Sequence, residues 1–252
     1  MKIAYITAGA GEDYRCENCL RDAALLRALC QAGHQVLAVP LYLPAYVGQS
    51  GEAVVAPMFF GGINVYLQQK LALFRRTPRW IDRLFDAPAL LRWISRRNSM
   101  TRPADLADTL LSMLAGRDGR QAKELQRLMD FLSTERHDVA VLSNALLAGL
   151  AGPIARELRV PLVCLLQDED GFVDGLGETY SPKAWSELAR CCRDIRAFVA
   201  PNQAYAELMT NRLNLPPQAV HVLGLNSQVD DLPLTAAAMS NIFQLAAMEA
   251  AK

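Results

Sequence analysis

The sequence predicts an α/β fold, a doubly wound and mostly parallel Rossmann-like sheet of about seven strands, and three observations predict it. The first forty-odd residues read as strand, glycine-rich turn, helix and strand. Short apolar runs recur in the second half, most of them followed by a helical pattern. The composition, 52% hydrophobic over 252 residues, is enough for one substantial core. An open parallel layer is the most economical arrangement for elements that alternate in this way.

Taken in order, Lys2-Ile-Ala-Tyr-Ile-Thr-Ala8 is an apolar run of β-formers, and Gly9-Ala-Gly11 breaks it with residues that tolerate positive φ. From Cys19 to Ala32, the residues Leu20, Ala23, Ala24, Leu26 or Arg27, and Cys30 are spaced for one apolar helix face, and Gly33 supplies the stop. Gln35 to Leu41 is a second strand. A parallel return through a helix crosses right-handedly, so the glycine turn lies on the carboxyl edge, where such sheets bind ligands. Ala53-Val-Val-Ala-Pro57 reads as a short third strand before a second glycine turn, Phe59-Phe-Gly-Gly-Ile63. Asn64 to about Gly119 then reads as a helical insertion, with Pro78, Pro88 and Pro103 near helix starts, where the missing N–H costs nothing. The sheet pattern resumes at Asp138 to Ser143, followed by a helix over about 145–158 and a strand from Pro161 to Leu166. Ser181 as N-cap with Pro182 opens a helix to about Arg193, Ala197 to Ala200 is a strand, Asn202 caps a helix to about Leu213, and Ala219 to Leu223 is the last strand.

Twenty-six basic residues balance 26 acidic ones, so net charge gives no reason to expect nucleic acid as a partner. The balance is uneven, because residues 75–102 carry eight arginines against Asp82 and Asp86. Within that stretch Trp80, Ile81, Leu84, Phe85, Leu90, Leu91, Trp93 and Ile94 alternate with arginines. Two readings stand: an interfacial face that meets an anionic bilayer, or an apolar side packed on the domain with solvated arginines. The six cysteines fall mostly within predicted helices and strands, and no signal segment precedes the first strand. The expectation is therefore reduced thiols and a cytoplasmic location, with at most peripheral contact at the inner face of the membrane. Cys16-x-x-Cys19 lacks the second ligand pair that a structural zinc site needs, and His34, His137 and His221 are scattered, so no metal is expected.

Several longer stretches carry a resemblance. Leu25 to Val36 reads Leu-Leu-Arg-Ala-Leu-Cys-Gln-Ala-Gly-His-Gln-Val, and the seventh strand runs into Gly224-Leu-Asn226. With them stand Cys16-Glu-Asn-Cys-Leu-Arg-Asp22, the run from Phe59-Phe-Gly-Gly-Ile63 through Gln69, and Gly149-Leu-Ala-Gly-Pro-Ile154. Over residues 1–230 the chain resembles the N-terminal half of the family 4 glycosyltransferases of the GT-B fold, closest to a bacterial subgroup. The resemblance implies the acceptor-side domain of a retaining transferase that moves a hexose from a nucleotide-sugar to a glycan or lipid-linked acceptor. The donor is a co-substrate, and no cofactor is implied. Relatives continue for about one further domain that holds the nucleotide-sugar site. That domain is expected to be absent, with 231–252 a helical tail bearing an apolar stripe of Met239, Ile242, Phe243, Ala246 and Ala247 that could cover the surface a donor domain normally occupies. The isolated chain is then expected to be inactive and to bind nucleotide-sugar only with a donor domain. The alternative is a non-catalytic module that binds a glycan or lipid head group or pairs with a separate donor domain.

Sugar transfer with retention depends on positioning and on stabilising charge that moves onto the leaving phosphate. Gly9 and Gly11, next to a helix N-terminus, either present backbone N–H groups to ligand or form a tight turn that touches none. Gly61 and Gly62 form a second such turn beside Asn64. Gln167-Asp-Glu-Asp170 ends a central strand, where the resemblance places a polar and acidic cluster; Glu169 and Asp170 are the candidate catalytic carboxylates, and the competing reading is a solvated helix cap. Asn144, Asn18 and Gln167 complete the candidate substrate contacts.

Overall fold

In a computed structural model of the chain, the described residues are 1–9, 17–43, 53–60, 103–224 and 232–250. Seven strands form one all-parallel sheet in the order β3-β2-β1-β4-β5-β6-β7. They are β1 (Lys2–Thr7), β2 (Gln35–Pro40), β3 (Val54–Val55), β4 (Val139–Leu142), β5 (Leu162–Leu165), β6 (Ala197–Ala200) and β7 (Val220–Val222). The order reverses between β1 and β4, which makes the carboxyl ends of those two strands the switch point of the sheet.

Period-two alternation sends each strand's residues to opposite faces. Ile3, Tyr5, Val36, Ala38, Val139, Val141, Val163, Leu165, Ala197 and Val199 build one core. Ala4, Ile6, Val39, Ala140, Leu142, Leu162, Cys164 and Phe198 build the other. The second face is covered by α2 (Pro103–Leu114), α3 (Ala122–Leu132), a mixed helical stretch, α5 (Ser181–Cys192) and α6 (Gln203–Leu213), and α4 (Glu169–Asp174) sits just beyond β5. The first face is covered by α1 (Glu17–Gln31) and α7 (Leu232–Ala250).

Helix α7 places the tail's stripe. Met239, Ile242, Phe243 and Ala246 are buried against the sheet and α1, while Ala247 is half-buried. The tail therefore fills the sheet's own face. His34, in the turn after α1, ties that turn to α7 through Nε2 at 2.8 Å from Ser240 Oγ, and its Nδ1 lies 3.3 Å from the N-terminal amine.

Three local expectations shift. Leu20 is exposed on α1, whereas Arg21 and Asp22 are buried beside Leu25, Leu26 and Leu29. Residues 145–158 are not one regular helix but a 3-10 segment, an α turn and a π turn. A Cβ on Gly149 would lie 2.1 Å from Met113 O, so close backbone approach shapes this stretch, and Pro153 withholds an N–H. Tyr180, one residue earlier than expected, holds the N-cap of α5. Of the expected helical insertion, the part at 64–102, which includes the arginine-rich stretch at 75–102, lies outside the described residues.

Candidate active site

Parallel strands put the ends of β1, β4, β5 and β6 on one rim, and the first turns of α1 rise from the same side. At its centre is a buried polar network that ties these elements together. Asp22 Oδ1 accepts from Tyr5 Oη at 2.8 Å and from Gln167 Nε2 at 3.1 Å, and Asp22 Oδ2 accepts from Thr7 Oγ1 at 2.8 Å. Gln167 Nε2 also donates to Ser143 O at 2.5 Å, and Gln167 Oε1 accepts from Arg21 Nη1 at 3.1 Å. Arg21 reaches Asn18 Oδ1 at 3.1 Å and Glu17 Oε1 at 3.0 Å. A single glutamine thus joins α1, β4 and β5 across the switch point, and Asp22 carries the link on to β1.

Burial pushes the Asp22 carboxyl up to about 6, against the lowering effect of its three donors, and it drives the Tyr5 phenol well above its ordinary value. A carboxyl raised in the folded state stabilises below its unfolded value, near 4, and loses that contribution as pH rises through about 6. Asp22→Asn keeps the shape and the Oδ1 acceptor. Its melting temperature relative to the parent is expected to rise steadily between pH 4 and pH 7, by the equivalent of roughly 2–3 kcal/mol. A difference that is flat or falls with pH would show that Asp22 is not a strained buried acid.

The acidic run after β5 divides by environment. Asp168 is exposed and takes φ 56°, in the left-handed region, turning the chain at the start of α4. Glu169 is fully buried: Oε1 accepts from Ala145 N, Oε2 accepts from Gln167 N, and Tyr205 Oη lies 2.8 Å from Oε2, with all three contacts at 2.8 Å. Tyr205 Oη also accepts from Glu169 N and stands 3.0 Å from Asp170 Oδ1. Desolvation raises the Glu169 carboxyl, although the amides and the phenol work against it. Among the described residues, Glu169 is a sealed clasp between the β4 and β5 ends with no oxygen free for substrate. Asp170 is half-buried, and its one described contact is to Tyr205. The Asn202 cap, accepting from Tyr205 N at 2.8 Å, starts α6 where this phenol can reach both acids.

The far end of α4 is pinned as well. Asp174 accepts both amino groups of Arg212 at 2.8 and 3.0 Å and Trp185 Nε1 at 2.9 Å, and the guanidinium lies 4.9 Å from the Trp185 ring centroid. The arginine contact holds the Asp174 carboxyl below its usual range, so its contribution is present at neutral pH and fades as pH falls through the acid range. Solvent screens this half-exposed pair, and Asp174→Ala is expected to cost about 1 kcal/mol by urea unfolding at pH 7 and less at pH 3. An equal or larger cost at pH 3 would contradict the pairing.

Of the residues expected at the site, Gln167, Asn18, Asn144, Glu169, Asp170 and Gly9 share this rim. Gly11, Gly61, Gly62 and Asn64 lie outside the described residues. Gly9 does not offer its N–H outward, since it donates to Thr7 Oγ1 at 3.3 Å, and its backbone crosses that of Leu43 closely. Asn144 takes the N-cap position of the 3-10 turn without capping it, and its Oδ1 is sealed from water with no donor. The residues missed by sequence reasoning are Tyr5, Arg21, Asp22 and Tyr205. A tyrosine inside an otherwise apolar strand and two charges on the buried side of α1 were the available signals.

Other chemistry is weaker. Cys16 lies outside the described residues, and Cys19 Sγ sits 4.0 Å from Gly9 O. Cys164, Cys191 and Cys192 are buried thiols pushed up by desolvation. Among the described residues no three His, Cys, Asp or Glu side chains converge to hold a metal, and no helix is long and apolar enough to cross a membrane. A cavity of about 500 Å³ lined by Lys2, His34, Val36, Phe131, Glu135 and His137 opens at the opposite, amino rim, away from the polar network.

Comparison with known proteins gives one family and several structures. Residues 23–226 match the model of a family described as glycosyl transferase 4-like domain. No match is found among curated proteins. Among solved structures, a lipopolysaccharide outer core galactosyltransferase in its apo form aligns over 88% of this chain and 45% of its own, at 9% identity and a TM-score of 0.46. A Streptomyces sp. SF2575 glycosyltransferase aligns over 79% and 50%, at 15% identity and a TM-score of 0.42. An Arabidopsis thaliana protein complexed with UDP-L-rhamnose aligns over 88% and 48%, at 12% identity and a TM-score of 0.46. The chain spans about half the length of each.

Proposed function

The chain belongs to the glycosyl transferase 4-like domain family, and from that premise we propose that it forms the acceptor-side half of a GT-B transferase. That enzyme moves a hexose, with retention, from a nucleotide-sugar to a glycan or lipid-linked acceptor. The observation that carries this reading is the gathering of Asn18, Asn144, Gln167 and Asp170 at the switch point of a parallel sheet, where such sheets take ligands. In this role Asp170 orients the acceptor hydroxyl, and Tyr205 fixes Asp170 by holding one of its oxygens. Glu169 acts one step back, keeping the β4 and β5 ends in register. The rim is a positioning device, consistent with a reaction whose barrier falls chiefly through orientation and electrostatic preorganisation. The diphosphate leaving group is assigned to a facing domain, because Arg21, the buried cation of this rim among the described residues, is already held by Glu17, Asn18 and Gln167.

Calorimetric titration with acceptor glycans and with nucleotide-hexoses tests this. Glycan binding is expected, weakened about tenfold in Asp170→Asn with an unchanged melting temperature, while nucleotide-hexose binds weakly or not at all. Micromolar affinity for a nucleotide-hexose in this chain would contradict the half-site assignment. So would glycan binding indifferent to Asp170.

A further inference from the structure

Three arginines stand together at the amino rim without a carboxylate to hold them. Arg159 precedes β5, and Arg193 and Arg196 precede β6, so the parallel pairing of these strands brings all three to one edge of the sheet, opposite the polar network. Their side chains are exposed and make no hydrogen bond or ion pair among the described residues. Arg117, Arg127, Arg156, Arg190 and Arg212, by contrast, each sit on a carboxylate. The three line one open cavity of about 330 Å³, with Val160 and Pro161 among its walls. Asp194 also lines it, but its Oδ2 lies 3.4 Å from Nη1 of Arg156, so the lining stays net cationic. Arg159 takes φ 54°, in the left-handed region where glycine or asparagine is the low-cost residue. The C-terminus of α5 gives Arg193 a local reason to be cationic, but none for the convergence of the three. A second concavity of about 300 Å³ shares Arg193 and Arg196 and adds Pro216, Ala219, His221 and Leu245.

Three guanidiniums on one concave wall repel one another, and a cleft lined by one sign of charge concentrates the opposite ion. We infer that this groove binds the terminal phosphate of a small phosphate monoester, at a site separate from the rim assigned to sugar transfer. Such a phosphate carries about two negative charges at neutral pH and three oxygens free to accept, which suits several planar guanidinium forks at once. The concavity favours a soluble ester over a flat bilayer, and Pro216, Ala219 and Leu245 beside Arg193 and Arg196 give the ester's organic part an apolar surface to lie on. A nucleotide-hexose has no terminal phosphate, so this site and the half-site assignment answer to different ligands.

Calorimetric titration of the full chain with glycerol 3-phosphate, inorganic phosphate and glycerol tests the site. Glycerol 3-phosphate is expected to bind, inorganic phosphate more weakly, and glycerol not at all. Arg159→Gln and Arg196→Gln are each expected to weaken the ester by about tenfold with an unchanged melting temperature, because both side chains are exposed and unpartnered among the described residues. Asp170→Asn on the other rim, and Arg136→Gln, an exposed arginine that does not line the groove, are expected to leave the ester's affinity as it is. No binding of the ester, or a loss in Arg136→Gln as large as in Arg196→Gln, would reduce the groove to diffuse surface charge and overturn the site. A loss in Asp170→Asn would move the ester to the carboxyl rim and overturn it as well, and inorganic phosphate binding as tightly as the ester would remove the ester as its ligand. Flotation with phosphatidic acid vesicles separates the lipid source. Vesicle binding that is lost in Arg196→Gln, with no binding of glycerol 3-phosphate, would overturn the soluble ligand in favour of a membrane surface.

Discussion

Glu169→Ala is expected to cost about 4 kcal/mol or more of folding stability, measured by denaturant unfolding at pH 7. The side chain is fully buried, and its removal leaves the Ala145 and Gln167 amides without their acceptor, while the Tyr205 hydroxyl keeps Asp170. Each stranded buried donor costs on the order of 1–3 kcal/mol, and the cavity left by the side chain adds to that. Glu169→Gln is the informative control. It keeps one acceptor oxygen but turns an amide N–H₂ toward a donor, so roughly half of the loss should remain. A cost below about 1 kcal/mol for the alanine variant would show that the clasp is not what holds the β4 and β5 ends together.

Gly9→Ala carries the second large effect, for a different reason. Gly9 sits at φ 87°, and a Cβ there would lie 1.8 Å from Leu43 O, a backbone atom that cannot swing aside. The left-handed conformation alone costs about 1–2 kcal/mol, and separating the two backbones adds to that, so about 4 kcal/mol is expected. Gly33→Ala separates the two contributions. Gly33 has a similar φ of 83°, but nothing lies within 4 Å of its would-be Cβ, so only the conformational cost of about 1 kcal/mol should appear. Equal costs at the two glycines would contradict the close crossing of the β1 and β2 exits.

The five inner strands, β1, β2, β4, β5 and β6, were legible because their residues alternate between two buried faces, which left near-continuous apolar runs bounded by turn residues. The stop at Gly33 and the Asn202 cap were legible because each rests on a local rule. What escaped depends on long-range partners. Asp22 and Arg21 occupy positions that a helical stripe assigns to solvent or leaves ambiguous, and their burial is made tolerable by Tyr5, Thr7 and, 145 and 146 residues away, Gln167. Tyr205 reads as an ordinary helix residue until Asn202 starts α6 beside the β5 end. Three adjacent acids in sequence suggested one shared role, yet the left-handed turn at Asp168 sends them to three environments: solvent, the sealed interior and the rim. The 145–158 stretch carries apolar spacing suited to a helix, but the close approach at Gly149 bends it out of regular geometry.

The account stands on the carboxyl rim being the sugar-binding face. Amide hydrogen exchange of the chain, with and without a saturating acceptor glycan, tests this most directly. Protection is expected to gather at residues 18–22, 143–145 and 167–170, with the opposite rim unchanged. Protection centred instead on the cavity lined by Lys2, His34, Glu135 and His137 would place the ligand at the wrong end of the sheet and contradict it.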